Sequence, residues 1–287
     1  LKVAIIGGTG CGGRAVAHTL RAAGHTVCTI ARGQSPGPQP DVVCDRHDQP
    51  AFTQALHAFA PDAIVDQVAY SGADVAATLA ALAPGTRYIL VSSAIIYGPG
   101  GRAPYHESEA PQPAPGLPAA KYDAERALAE WPTHTCLRIG AIYGPGHAPM
   151  TPFGRDPTAL TRLRDQAPLI IPEPDGDVLQ PWYSGDHARL VLALLNDPTP
   201  PARLNAAGPE TVSWGTWLSA WATAVDAPPP NLTALGPAAL TEAAPAWMRP
   251  FIGALLHPTQ LDLTLLRSRY PGIATTGVAE GTVEALG

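Results

Sequence analysis

Apolar and polar positions alternate in blocks through the first half of the chain: short apolar runs of strand length, each followed by a longer stretch with helical spacing. Leu1 to Ile6 reads as a first strand, and Arg14 to Ala23, closed by Gly24, as a helix. His25 to Ala31 predicts a second strand, and Pro40 to Cys44 a short third one, reached through the Gly/Pro-rich loop Gly33 to Pro40. A helix over Gln49 to Ala60, a strand over Ala63 to Ala69 and a helix over Ala73 to Leu82 follow. Then come a strand over Arg87 to Ser92, a helix over Ala119 to Glu130 and a strand over Thr135 to Ile139. Apolar strands alternating with helices predict an α/β fold with a doubly wound parallel sheet, which binds ligands at the carboxyl ends of its strands. Beyond about Gly146 the periodicity breaks up and proline becomes frequent, with helices predicted over His187 to Leu195 and Trp214 to Val225. Trp214, Trp217 and Trp221 share one face of the latter, which reads as core.

The first strand runs directly into Gly7-Gly8-Thr9-Gly10-Cys11-Gly12-Gly13, a Gly-x-x-Gly-x-x-Gly turn that opens a helix. The first glycine permits the tight turn, the second lets backbone approach a pyrophosphate, and the third lets helix pack on strand, so free amides face the phosphates. The fold expected is therefore Rossmann-type. Residues 1–146 are a dinucleotide-binding domain to which later segments return, and 147–287 are mostly a smaller, interleaved substrate-binding region.

Composition narrows the partners. A formal charge of −6 without basic clusters argues against nucleic acid, and no stretch approaches the roughly 20 apolar residues of a membrane span. The sequence opens on a strand, leaving no room for a signal peptide, so a cytoplasmic protein with a small-molecule substrate is expected. Cys11, Cys28, Cys44 and Cys136 stand far apart, outside any metal-ligand spacing, and read as free thiols with no metal site.

Further motifs follow in order: Ser92-Ser93-x-x-x-Tyr97-Gly98, Lys121-x-x-x-Glu125-Arg126-Ala127-Leu128, and Arg138-x-x-x-x-Tyr143-Gly144-Pro145-Gly146. Gln180-Pro181-x-x-x-x-Asp186-His187-Ala188 and Asn205-Ala206-Ala207-Gly208 complete the series. Together with the glycine turn they resemble an extended short-chain dehydrogenase/reductase of the NAD-dependent epimerase/dehydratase family, over nearly the whole chain. The resemblance implies a cofactor site at Gly7, Thr9, Gly10, Cys11 and Gly12, with Asp45 and Arg46 near the adenine and Val68, Ala69 and Tyr70 passing the cofactor. It also implies a homodimer through the helices Ala73 to Leu82 and Ala119 to Trp131.

At the end of strand two, an acidic residue would bind a ribose diol and a basic one a 2′-phosphate. The chain has Arg32 there, with Ser35 adding a hydroxyl, so NADP is the expected dinucleotide and NAD the alternative. The resemblance assigns Ser93 to hold the substrate oxygen and Lys121 to hold the nicotinamide ribose. A tyrosine four residues before the lysine would share its helix face and act as acid/base, but Leu117 stands there. Tyr105 and His106, in the loop after strand five, are the open candidates to replace it. Tyr97 and Tyr143 read as structural, Asp186 as a helix N-cap, and Arg138 as the partner of a nearby carbonyl or carboxylate. The leading expectation is an NADP-dependent oxidoreductase on a small biosynthetic intermediate or sugar. A non-redox lyase, cyclase or isomerase, an epimerase or dehydratase, and an NADP-sensing binding protein are the alternatives.

Overall fold

The computed structural model describes residues 1–287 except 35–36, 99–101, 177, 250–251, 253–258 and 274. Its centre is a sheet of β1 (Lys2–Ile6), β2 (Thr26–Ala31), β3 (Val42–Val43), β4 (Ala63–Asp66), β5 (Arg87–Ser93), β6 (His134–Ile139) and a returning strand, Arg203–Ala206. These seven lie in the order β3-β2-β1-β4-β5-β6 and then the returning strand, all parallel. Strand order reverses between β1 and β4, which sets a crevice at their carboxyl ends.

Both sheet faces are covered, so successive residues of a strand enter different cores. Val3 and Ile5 of β1 pack with Val16 and Leu20 of α1 (Cys11–Ala22) and Leu190 and Leu194 of the helix Ser184–Asn196. Ala4 and Ile6 face Phe52 and Leu56 of α2 (Gln49–Phe59), alongside Val75 of α3 (Gly72–Ala80) and Leu128 of α4 (Leu117–Leu128). Phe52, Leu56 and Leu20 are fully buried, each contributing about 1.5–3 kcal/mol relative to exposure.

The later part adds β7 (Ala141–Tyr143), a hairpin of β8 (Met150–Thr151) and β9 (Gly154–Arg155), β10 (Leu169–Pro172) and β11 (Pro181–Tyr183). Its own core gathers Tyr143, Leu169 and Ile171 around Trp214, Trp217 and Trp221, which lie on the helix Trp214–Ala224. Trp182 is also buried, whereas Trp247 is 64% exposed. Among the described helices none is long and apolar enough to cross a membrane.

Several boundaries differ from the sequence expectation, and three of the departures have a local cause. β4 stops at Asp66 because its carboxylate accepts the Val68 amide at 3.0 Å and bends the chain out of the ladder. α4 starts at Leu117, two residues early, since Pro118 sits in its first turn, where no amide hydrogen is needed. Asp186 is not an N-cap. It is fully buried inside the first turn of its helix, where it accepts Thr276 N at 3.1 Å and pairs with Arg189.

Candidate functional site

The glycine turn is built by backbone crowding. Gly7 adopts φ +81°, and a Cβ on Gly13 would lie 2.7 Å from Gly8 Cα, so neither position admits a side chain without displacement. Gly10, by contrast, meets only ordinary contact and opens to the crevice. Gly7, Thr9 and Gly10 line a cleft of about 290 Å³ whose far wall is Arg32, Asp45, Val68 and Tyr70. Cys11 and Gly12 are buried behind it. The Cys11 thiol faces Ser184, and a Cβ on Gly12 would come 2.9 Å from Ile142, so what these two can offer a ligand is backbone.

A dinucleotide fits these residues: a helix start without a side-chain cap, a glycine cradle that a Cβ would fill, and an exposed Arg32 at the rim. Arg32 has no carboxylate partner among the described residues. Ser35 lies outside the described residues. Asp45 lines the cleft, with its carboxylate accepting the His47 amide at 3.0 Å. Arg46 lines the same cleft. Its guanidinium turns inward to both oxygens of buried Asp66 at 3.1 Å and to the Asp74 carbonyl and the Thr78 hydroxyl, so it braces the sheet. Ala69 is fully buried, while Val68 and half-exposed Tyr70 remain at the cleft.

Lys121 projects from α4 to the carboxyl end of β5, where Nζ donates to the Val91 carbonyl at 3.1 Å and lies 4.5 Å from the centre of the Tyr70 ring. Burial lowers its pKa to about 8, an effect that Asp66 opposes. Ser93 ends β5, and its hydroxyl accepts the Ile95 amide at 3.4 Å. Ser92 Oγ beside it is buried without a partner among the described residues. One turn before Lys121, Leu117 is 39% exposed. Lys121 thus meets Tyr70 near the carboxyl end of β5, the strand that Ser93 terminates.

Tyr105 is not an open proton donor, whereas the His106 side chain is half-exposed. Tyr105 is buried, stacked on Tyr97 at 4.8 Å, with its hydroxyl donated to the Gly98 carbonyl at 2.8 Å and its backbone paired to Gln260 and Asp262. The His106 ring is engaged by Ser108 at 2.9 Å. Below them runs a buried network that fixes the carboxyl edge. Arg138 forks onto Glu125 (2.8 and 3.2 Å) and donates to the Tyr97 hydroxyl, which donates to Asn205 at 2.8 Å. The sequence expectation for Arg138 and Tyr97 describes this arrangement.

Other contacts were not legible beforehand. Buried His187 accepts the Trp182 indole N–H at Nδ1 (3.2 Å), so its proton sits on Nε2 and is donated to the oxygen end of the Gln67 side-chain amide, which lies 3.0 Å away. Burial holds its pKa near 4, keeping the ring neutral. His147, in the loop after β7, accepts the Cys11 amide at Nε2 (3.2 Å), and burial with Arg155 and Arg14 nearby lowers its pKa to about 4. No local sequence signal points to these pairings, because each joins segments more than a hundred residues apart or turns on a buried ring.

A parallel sheet whose order reverses above a glycine turn at a helix start defines a Rossmann-type nucleotide-binding fold. Residues 3–207 match the NAD dependent epimerase/dehydratase family, and the chain belongs to that family. Over 208 residues it is 32% identical to 2′-dehydrokanamycin reductase of Streptomyces kanamyceticus, a stretch that spans 69% of this chain and 59% of that relative's length. Its fold is similar to that of Bordetella bronchiseptica WbmH in complex with NAD+ (TM-score 0.77, 18% identity, 99% of this chain and 96% of that one). It is equally similar to UDP-glucose 4-epimerase of Thermotoga maritima solved with UDP-glucose (TM-score 0.77, 16% identity, 99% and 97%).

Proposed function

We propose that the protein is an NADP-dependent reductase that adds hydride to an unsaturated carbon of a sugar or another small biosynthetic intermediate. The observation that carries this reading is the pairing of Ser93 and Lys121 at the strand ends beside the dinucleotide cleft, with Leu117 in place of the usual tyrosine. The 2′-dehydrokanamycin reductase relative supports a carbonyl on a glycosyl ring as the target. The bound dinucleotide would supply the hydride. Ser93 would hold the substrate heteroatom, and Lys121 would hold the nicotinamide ribose. A lysine brought to about 8 also suits proton delivery, directly or through water, to the oxygen as it becomes an alkoxide, because acid catalysis is best with a pKa near the working pH. Leu117 favours a second reading, in which the substrate is an imine or conjugated alkene whose proton arrives from solvent.

Arg32 supports NADP over NAD, being exposed at the rim with no acid beside it in sequence. Four free cysteines fit a cytoplasmic setting, and a homodimer through α3 and α4, checked by sedimentation, completes the proposal. The decisive experiment follows nicotinamide absorbance with NADPH or NADH over a panel of dehydro-aminosugars, other keto sugars and cyclic imines. Turnover of a keto sugar with NADPH is the expected result, and binding without turnover across the panel would sink the reductase reading in favour of a non-redox enzyme. Arg32→Ala should lower the NADPH-to-NADH affinity ratio at least about tenfold, the scale of one lost charge-assisted contact. An unchanged ratio would remove Arg32 from cofactor choice.

A further inference from the structure

The start of α1 carries cations that the glycine motif does not call for. Arg14 stands in its first turn, where no acidic residue is present, and its guanidinium donates to the Pro145 carbonyl at 3.1 Å and lies against Gly146. His147 follows, with Nε2 on the Cys11 amide. Its remaining hydrogen is therefore on Nδ1, a buried atom without a partner among the described residues. From the β8–β9 hairpin, Arg155 donates to the Ala148 and Ile142 carbonyls. Neither Arg14 nor Arg155 has a carboxylate partner among the described residues, and both are near enough to act on His147 and on Cys11.

This arrangement is unfavourable in itself. Positive groups at a helix N-terminus oppose the helix dipole, and two guanidinium groups around one imidazole repel each other. An anion between them reverses both effects. The amide that His147 holds belongs to the turn that faces a dinucleotide's phosphates, so the anion in question is a pyrophosphate.

We propose that Arg14 and Arg155 form a clamp on the dinucleotide pyrophosphate, in which a phosphate oxygen takes the Cys11 amide from His147 and the two arginines close over it. Arg155 comes from the substrate-side hairpin, so the clamp ties the order of that hairpin to the bound dinucleotide. Cofactor binding then prepares the substrate side of the cleft.

Calorimetry with ADP-ribose, which carries the pyrophosphate and no 2′-phosphate, separates this proposal from the role of Arg32 and from any activity. Adenosine, followed by saturation-transfer NMR, is the phosphate-free control. Arg14→Met and Arg155→Met are each expected to weaken ADP-ribose at least about tenfold and leave adenosine within twofold, while Arg155→Lys keeps most of the affinity. The salt dependence of ADP-ribose binding should become shallower in Arg155→Met. Wild-type ADP-ribose affinity in both variants overturns the clamp. Equal loss of ADP-ribose and adenosine also overturns it, since it would mean that these residues only support the turn.

Discussion

Lys121 is an amine buried at a cost to the fold. Its pKa of about 8 lies below the ordinary 10.5, so between these values the unfolded chain holds a proton that the folded chain has lost. Stability contributed by this group therefore rises with pH from about 8 to 10.5, and below 8 the full cost of burying an ammonium is present. Lys121→Met should abolish turnover yet raise stability at neutral pH by about 1–3 kcal/mol, with less gain at alkaline pH. Urea unfolding at both pH values checks this, and a variant less stable at neutral pH would mean that the Val91 and Tyr70 contacts outweigh the burial. Residue by residue, the cofactor turn was legible because its glycines answer to backbone geometry alone. Tyr105 was misplaced because a sequence position near the cleft does not say which way a phenol points, and a neighbouring Tyr97 claimed it.

At the level of elements, α1 and the Ser184–Asn196 helix share one side of the sheet, and His187 stands where they approach the turn: Gly12 would meet its ring at 3.3 Å if it bore a Cβ. This imidazole folds neutral. Its pKa near 4 lies below the ordinary 6.5, so the unfolded chain binds more protons within that window and stability falls as pH drops through it. His187→Gln should flatten this part of the stability profile while costing about 1–2 kcal/mol at neutral pH for the altered contacts to Trp182 and Gln67. The flattening will be partial, because His147 titrates in the same range. Urea midpoints measured across the window decide it, and an unchanged slope would show that His187 does not carry the acid response. Most elements were readable because strands buried on both faces are apolar throughout and helices repeat at their own period. The exceptions turned on single tertiary bonds: the Asp66 carboxylate that ends β4, and the Thr276 amide that draws Asp186 inward.

Over the whole molecule, the dinucleotide sheet is not completed by the first 146 residues. β6 is covered on its outer side by Arg203–Ala206, whose register pairs Leu204 with Leu137 and Asn205 with Arg138. Asn205 also accepts from Tyr97 and donates its backbone amide to the Glu107 carboxylate, so the same segment seals the network under the carboxyl edge of the sheet. A fragment of residues 1–146 would leave β6 as an open, apolar edge, and edges of that kind pair with other chains. Such a fragment should appear as large assemblies in light scattering, whereas the full chain should not; a monodisperse, cofactor-binding fragment would contradict this. The parallel pairing of this late strand also sets a timetable during synthesis. After Ile139 leaves the ribosome, the nascent sheet must wait with an unpaired flank until Arg203 emerges, and for that interval the growing chain is a natural client for chaperones.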